Sequence, residues 1–386
     1  MNITSHITPR RPKKVWLVHG SHTGGHAAAA HSLKAALDKR PQVETEIINL
    51  ADTSSSSKPA STLAESALKA GSWTQSIRRW VFDQQFEGNP LVKWVTDKVM
   101  AKEAAAQEEF VERVQAEKPD LIVSTMSATN SLLNSLKESG VIDVPLESVV
   151  TDFSCHQVWA QENIRFYYVA TEAVKNELQQ FGVAPEKVRV SGIPIKKAPE
   201  TTDSVGSKER LGLDLTKPTV LMMGGSLGLG DLAPAVLALD EAKSDFQLVT
   251  VTGKNKEAAS KLENLNTRHP LIINGYVTNM PEWIQAADLV ISKPGGLTAS
   301  EVLAAGKPMI VKKATSGLER RMVDGLNSTG AVKSVANNQE MTRVVDLLLG
   351  DSAERGKLSL RAGEIGKPNS ADTVADYILS DMARRN

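Results

Sequence analysis

Cysteine is almost absent from this 386-residue sequence, which contains only Cys155. A single cysteine excludes a disulfide framework and a zinc site of four cysteines, and it is typical of a reducing compartment. Long apolar runs are also missing. The first dozen residues contain no signal-peptide core, and no run approaches the roughly 18 apolar residues of a membrane-spanning helix. We therefore expect a cytoplasmic chain that is neither secreted nor membrane-spanning.

Neither positive nor negative residues are in excess. Lys plus Arg and Asp plus Glu number 45 each. The whole chain therefore has no field that would attract nucleic acid, and any basic patch must be local. The length is too great for one ordinary domain and suits two.

The most informative stretch is 286–311, which predicts a strand, a glycine turn, a helix and a second strand. Leu289–Ile291 is a short apolar run typical of a parallel sheet, and 293–296 (Lys-Pro-Gly-Gly) ends it. A helix is predicted over 298–305, with Gly306 at its C-terminal cap. Such a turn directs backbone N–H groups and the positive end of the helix dipole into the crevice at the strand end. We expect phosphate to bind there.

Glu301 lies one turn into that predicted helix. Its carboxylate could accept hydrogen bonds from ribose hydroxyls, as acidic residues do in dinucleotide sites. Spacing alone equally allows a carboxylate that only complements the helix dipole on a solvated face.

The remaining pattern predicts two α/β domains. In the first half, strands are predicted over 14–18, 43–50, 121–123, 146–150, 167–169 and 188–195, with helices to about 39 and over 128–139 and 172–181. The segment 196–207 is rich in Lys, Pro, Thr and Ser and is interpreted as the boundary. Beyond it, strands are predicted over 219–223, 246–252 and 271–273. We therefore predict domains 1–197 and 198–369, followed by a helix over 370–386.

The segment Ser292–Glu301 closely resembles the donor-nucleotide motif of one glycosyltransferase family. That family holds monogalactosyldiacylglycerol synthases, processive diacylglycerol glucosyltransferases and the peptidoglycan lipid-intermediate N-acetylglucosaminyltransferase. The resemblance extends from Val15 to about Ala331. It implies the GT-B architecture, in which two Rossmann-like doubly wound domains face a central cleft and the last helix returns to the first domain. It also favours the ribose role of Glu301, and implies donor contacts from Lys293, Gly295, Gly296, Leu297 and Thr298.

Three further segments are candidates for donor binding. The loop with Gly224, Gly225 and Ser226 alone is more typical of an ordinary strand-to-helix turn, but beside the motif it indicates phosphate contact. The segment 274–281 resembles the family segment that holds the uracil edge, which implicates Tyr276 and Val277, although a buried strand end is the alternative. The segment 317–319 resembles a Gly-Gln-Glu loop that reads donor-sugar hydroxyls. Glu319 is kept there, whereas Leu318 replaces the amide.

His26 is the candidate catalytic base. It closes a glycine loop and begins a helix in the first domain, where a helix N-terminus favours a neutral ring that can take a proton. A capping or packing histidine is the alternative that the residues alone favour. The family motif Gly-x-Gly-His implies instead that His26 lies at the acceptor hydroxyl and that Gly25 contacts the acceptor. Thr23 replaces the first glycine of that motif.

The segment 151–159 resembles the family's Thr-Asp-Phe segment on the acceptor side. The resemblance implies that Asp152 orients or assists the base and that His156 and Trp159 lie at the acceptor. A turn-capping Asp152 and a core Trp159 are equally compatible with the residues.

No metal is expected. His19, His22 and His31 match no zinc spacing, and no Asp-x-Asp occurs to hold the divalent ion that other sugar transferases use. The helix dipole and backbone N–H groups would replace that ion.

Three of the six tryptophans lie between Ser72 and Met100. Trp73 and Trp80 share one helical face, and Arg78 and Arg79 flank it, which indicates an interfacial helix that contacts a bilayer. Packing of these tryptophans against the first domain's core is the alternative.

These residues and the resemblance together predict an inverting hexosyltransferase. It would move a hexose from a UDP-sugar to a lipid acceptor, with diacylglycerol favoured, while peripheral on the inner face of the cell membrane. The alternatives are an N-acetylglucosaminyltransferase that acts on a polyprenyl-linked lipid and a UDP-sugar-sensing regulatory protein.

Overall fold

The structure is a computed structural model that describes residues 11–21, 24–52, 107–197, 203–225, 232–313 and 317–384. Its first sheet has six parallel strands in the order β2-β1-β3-β4-β5-β6. The strands are β1 Lys13–His19, β2 Val43–Asn49, β3 Leu121–Ser124, β4 Leu146–Val149, β5 Ile164–Val169 and β6 Val188–Val190. Apolar side chains are buried on both faces, as a covered parallel sheet requires.

The second sheet is also six-stranded and parallel, in the order β12-β11-β10-β7-β8-β9. Its strands are β7 Thr219–Met223, β8 Gln247–Val251, β9 Leu271–Asn274, β10 Leu289–Ser292, β11 Met309–Lys312 and β12 Val332–Val335. The strand order reverses between β1 and β3 in the first sheet and between β7 and β10 in the second. Ligands of doubly wound sheets bind at such switch points, outside the carboxyl ends of the strands.

Helices cover the faces of both sheets. They are α1 Gly25–Leu37, α2 Glu108–Glu117, α3 Ser127–Glu138, α4 Glu172–Gln180, α5 Ser204–Arg210, α6 Leu232–Asp240, α7 Lys256–Glu263, α8 Met280–Ala286, α9 Gly296–Ala304, α10 Gly317–Ser328, α11 Asn338–Gly350, α12 Ser352–Ile365 and α13 Ser370–Ala383. Within the described ranges, no helix combines the length and the apolar character needed to cross a bilayer.

Helix α13 packs against the first domain. Val374 and Ile378 join the core that contains Val15 and Leu17 of β1. On the same helix, the carboxylate of Asp381, which is 4% exposed, accepts from the Arg189 guanidinium, with 2.9 Å from Nη2 to Oδ1. In the sequence, the second domain therefore lies between the two segments that form the first domain.

Glycines bring the two domains into backbone contact. A Cβ placed on Gly296 would lie 2.0 Å from the carbonyl oxygen of Thr151, and one on Gly325 would lie 2.0 Å from that of Phe153. The Phe153 N–H also donates to Sδ of Met322, with 3.2 Å between N and S. Only a residue without Cβ allows approaches this close, so the loop after β4 rests directly on the start of α9 and on α10.

Candidate active site

A cavity of about 450 Å³ lies between the two sheets, at the switch point of each. Both domains line it. The first domain contributes Gly24, Gly25, His26, Ala28, Thr151 and Asp152, and the second contributes Gly225, Ser292, Lys293, Pro294, Gly295, Gly296, Leu297, Thr298, Glu319 and Met322. Most of the residues predicted to bind donor or acceptor therefore share one cavity.

Two helix N-termini meet across this cavity. Helix α1 begins at Gly25 and helix α9 at Gly296, and a Cβ on Gly25 would lie 3.4 Å from Cβ of Leu297. The helix that was predicted to begin at Thr298 starts two residues earlier. Its first N–H groups have no carbonyl one turn before them, and the positive end of its dipole faces the cavity. The arrangement offers donors to an anion.

Gly295 has a narrower role than predicted. It is the N-cap of α9, and its own N–H donates to the Lys293 carbonyl oxygen, with 2.8 Å between N and O. The backbone donors that α9 offers to a ligand therefore begin at Gly296.

Lys293 supplies a cation beside these N–H groups. Its Cε and Nζ lie 3.6 and 3.8 Å from where a Cβ of Gly225 would stand, so its side chain reaches over the turn after β7. Gly225 has a φ of +77°, which favours glycine. Partial burial lowers the pKa of Lys293, and the nearby Glu319 acts in the opposite direction. The cavity thus holds an ammonium group, a helix N-terminus and a glycine turn together, while Ser226 lies outside the described residues.

His26 is held by its Nδ1 atom. Nδ1 lies 2.9 Å from the carbonyl oxygen of Thr125 and 2.7 Å from Oγ1 of Thr151. Thr125 and Thr151 follow β3 and β4, so three separate segments converge on this ring at one sheet edge. Nε2 remains the nitrogen for a reacting group.

Asp152 lies in the same cavity wall, next to this ring. Burial raises the pKa of its carboxyl group, while His26 and the Trp159 indole act in the opposite direction. The predicted task of orienting His26 falls instead to Thr125 and Thr151, since they are the partners of Nδ1. That Asp152 assists proton transfer stays a prediction.

His156 and Trp159 do not reach the cavity. Trp159 is fully buried in the core of the first domain, and the His156 ring, 7% exposed, lies 6.4 Å from it between ring centroids. Burial lowers the pKa of His156 to about 4. The prediction that these side chains contact an acceptor is wrong, because the loop after β4 turns them inward.

Glu301, Tyr276 and Val277 are not among the residues that line the cavity. Lys196 interacts with both the segment that follows Val277 and Glu301. Its Nζ donates to the Thr278 carbonyl oxygen at 3.2 Å, and its charge lowers the pKa of Glu301. Burial outweighs that effect and raises the pKa of Glu301 to about 7. Tyr276 is 62% exposed, whereas Val277 packs on the second domain's core. Their contacts with a nucleoside stay predictions.

Several predicted features lie outside the described residues, namely the membrane contacts Trp73, Arg78, Arg79 and Trp80, as well as His22 of the histidine group. Among the residues that the structure does describe, no three His, Cys, Asp or Glu side chains form a group that could hold a metal ion.

Sequence reasoning missed Thr125, and it placed Thr151 in an acceptor-side segment without predicting that Thr151 holds His26. The available signal was positional: Thr125 directly follows β3, Thr151 lies two residues after β4, and the carboxyl ends of parallel strands share one edge of a sheet.

Comparison with known proteins identifies the family of this chain. The sequence matches the family monogalactosyldiacylglycerol (MGDG) synthase over residues 26–195 and the glycosyltransferase family 28 C-terminal domain over residues 219–320. A processive diacylglycerol beta-glucosyltransferase of Bacillus pumilus is 33% identical over 287 residues, which cover 71% of this chain and 73% of that protein. The protein of the same name from Bacillus licheniformis is 30% identical, with 69% of this chain and 70% of that protein covered.

Solved structures show the same fold. MurG of Acinetobacter baumannii has a TM-score of 0.59 at 16% identity, with 96% of this chain and all of that chain covered. The S. aureus MnaA–UDP co-structure has a TM-score of 0.60 at 16% identity, with 95% and 96% covered. The chain has the GT-B fold and belongs to the glycosyltransferase family of monogalactosyldiacylglycerol synthases and processive diacylglycerol glucosyltransferases.

Proposed function

We propose that this protein transfers a hexose from a UDP-sugar to diacylglycerol and forms a β-linked glycolipid. The observation that carries the proposal is the shared cavity, in which His26 of one domain faces the anion-binding turn of the other. The curated relatives, which are named diacylglycerol glucosyltransferases, support the acceptor.

The reaction is a single displacement at the anomeric carbon. Nε2 of His26 takes the proton of the acceptor hydroxyl, whose oxygen forms the new bond to the anomeric carbon. The bond from that carbon to the diphosphate oxygen breaks, and UDP leaves with the electron pair. Attack from the face opposite the leaving group inverts the anomeric configuration.

The second domain stabilises the leaving diphosphate. The first N–H groups of α9 and the ammonium group of Lys293 lie where negative charge develops, and such preorganised donors act strongly in a site that excludes water. Glu301 is proposed to hold the ribose hydroxyls, and Glu319, in the cavity wall, the sugar.

The proposed mechanism needs no metal ion, because the helix N-terminus and Lys293 neutralise the diphosphate. Turnover in EDTA should equal turnover without it, when UDP release is followed in metal-free buffer. Loss of activity in EDTA that magnesium restores would contradict this step.

A direct assay tests the activity. The protein is incubated with UDP-glucose, UDP-galactose, UDP-glucuronate or UDP-N-acetylglucosamine. Parallel reactions contain diacylglycerol liposomes or a polyprenyl-linked lipid, and UDP release and lipid mass are followed. We expect one donor to add one hexose mass per UDP released. A product only with a polyprenyl-linked lipid would support the N-acetylglucosaminyltransferase alternative, and UDP-sugar binding without any product would support a sensor.

Peripheral contact with the inner face of the membrane is also proposed, on the pattern of aromatic and basic residues at 73–80. Sedimentation with anionic liposomes tests it. A Trp73→Ala, Trp80→Ala double variant should stay in the supernatant, while its turnover on detergent-dispersed diacylglycerol is kept. Unchanged sedimentation would reject the contact.

A further inference from the structure

The His26 ring lies in a closed set of hydrogen bonds with two threonines. Oγ1 of Thr151 donates to the Thr125 carbonyl oxygen at 3.3 Å, and both oxygens lie within 2.9 Å of His26 Nδ1. The Thr125 hydroxyl in turn donates to the backbone carbonyl of His26 at 3.0 Å. The ring and its backbone are therefore held by the same pair of residues.

These contacts select one tautomer of the neutral ring. The Thr125 carbonyl oxygen can only accept a hydrogen bond, whereas the Thr151 hydroxyl can donate or accept one. Nδ1 must then carry the ring proton, because otherwise its lone pair would face the carbonyl oxygen at 2.9 Å. The lone pair of the neutral ring lies on Nε2.

We propose that Thr151 is a positioning residue that shares the Nδ1 proton with the Thr125 carbonyl and so strengthens His26 as the base. The inference rests on the proposed function, in which His26 takes the acceptor proton. When Nε2 takes that proton, the ring becomes a cation, and the hydrogen bond that Nδ1–H shares between the Thr151 hydroxyl and the Thr125 carbonyl becomes charge-assisted. The bond is then stronger in the transition state than before reaction, which is the condition for a contribution to kcat.

The principal test replaces the hydroxyl by a methyl group of the same shape. Thr151→Val should lower kcat about 10- to 100-fold, the range expected for one hydrogen bond to a charged group. The Kd for UDP and the KM for the acceptor should change less than threefold, because Thr151 is 3% exposed and acts through the ring. Thr151→Ser keeps the hydroxyl and should restore most of the activity.

Thr250→Val is the matched control. Thr250 is fully buried in the second domain, and its hydroxyl donates to the Ile272 carbonyl oxygen at the same 3.3 Å. Removing this buried hydroxyl should leave kcat unchanged. If kcat fell equally in Thr250→Val and Thr151→Val, the effect of Thr151→Val would be a general loss of stability, and the proposal would be overturned.

A spectroscopic measurement tests the tautomer without relying on turnover. In protein labelled with nitrogen-15 at its seven histidines, the signal that His26→Gln removes should show a protonated Nδ1 and an unprotonated Nε2. A protonated Nε2 in the neutral ring would overturn the inference.

The outcomes separate this inference from the proposed function. Full turnover of His26→Ala would reject the base and with it the positioning role, while hexose transfer would stand. No turnover in the wild-type protein would reject the proposed function. Loss of turnover in His26→Ala together with normal kcat in Thr151→Val would reject only the positioning role.

Discussion

Replacement of Gly296 by alanine should disable the enzyme while leaving each domain folded. Gly296 is the first residue of α9, and an alanine Cβ would lie 2.0 Å from the Thr151 carbonyl oxygen and 2.9 Å from its carbonyl carbon. Because real Cβ atoms essentially never approach heavy atoms within 3.0 Å, the two backbones must separate by at least 3.0 − 2.0 = 1.0 Å. The clashing atoms belong to the backbone, so no change of side-chain rotamer can relieve the contact.

The separation acts directly on the reacting groups. Thr151 holds His26 on one side, and α9 offers its N–H groups to the diphosphate on the other. A displacement of about 1 Å between catalytic partners costs on the order of 100-fold in rate. We therefore expect kcat of Gly296→Ala to fall about 100-fold.

The assay measures UDP release at saturating donor and acceptor, together with the thermal midpoint. Gly356→Ala is the control: it lies within helix α12, and a Cβ there meets nothing within 4 Å. It should keep full kcat and gain about 0.5–1 kcal/mol of stability. Gly325→Ala, which presses on the Phe153 carbonyl outside the cavity wall, should also lower kcat. A Gly296→Ala enzyme with kcat within twofold of wild type would refute the reasoning.

Further predictions follow from buried groups. Glu147 is fully buried and accepts from the Tyr168 hydroxyl at 2.7 Å, and burial raises its pKa from 4.5 to about 7. The folded state therefore binds this proton more tightly, so stability falls as the pH rises from 4.5 to about 7, by roughly 3 kcal/mol at most. Glu147→Gln should remove this decrease in stability, so its urea midpoints at pH 5 and pH 8 should differ less than those of the wild type. An equal difference in the variant and the wild type would contradict the role of Glu147. Burial also raises the pKa of Glu301 to about 7, so UDP should bind more tightly to wild type as the pH rises through 7. In Glu301→Gln, titration calorimetry should find no increase in UDP affinity with pH and about tenfold weaker binding at pH 8. If the variant keeps the increase, Glu301 is not its source. Trp159→Ala should lower the free energy of unfolding in urea by about 3–5 kcal/mol. A variant with normal stability and a raised KM for the acceptor would contradict the place of Trp159 in the core.

Much of the fold follows from short-range patterns in the sequence. Runs such as Leu121–Val123 and Leu289–Ile291 predicted parallel strands because both faces are buried, and each strand lies where it was predicted. The strand at Val332–Val335 was missed, since its central Lys333 and Ser334 interrupt the apolar run. Strand β6 ends at Val190 rather than continuing to 195.

Long-range contacts could not be predicted in the same way. The glycine motif indicated an anion site, but nothing local in the sequence indicates that Gly296 rests on the Thr151 carbonyl. Similarly, a motif with Trp159 cannot show which way its loop turns, and the structure directs that side chain into the core. The partners of His26 Nδ1 come from two other strand ends, which only the assembled sheet brings together.

The return of α13 to the first domain has a consequence for the order of synthesis. A ribosome makes β1 to β6 first, yet the core around Val15 and Leu17 is complete only when Val374 and Ile378 have emerged. Among the described residues, none of 203–365 belongs to that core, so the whole second domain is made before it can be completed. The first domain therefore cannot complete its core until α13 has been made, and until then the face of its sheet that α13 covers lacks that helix.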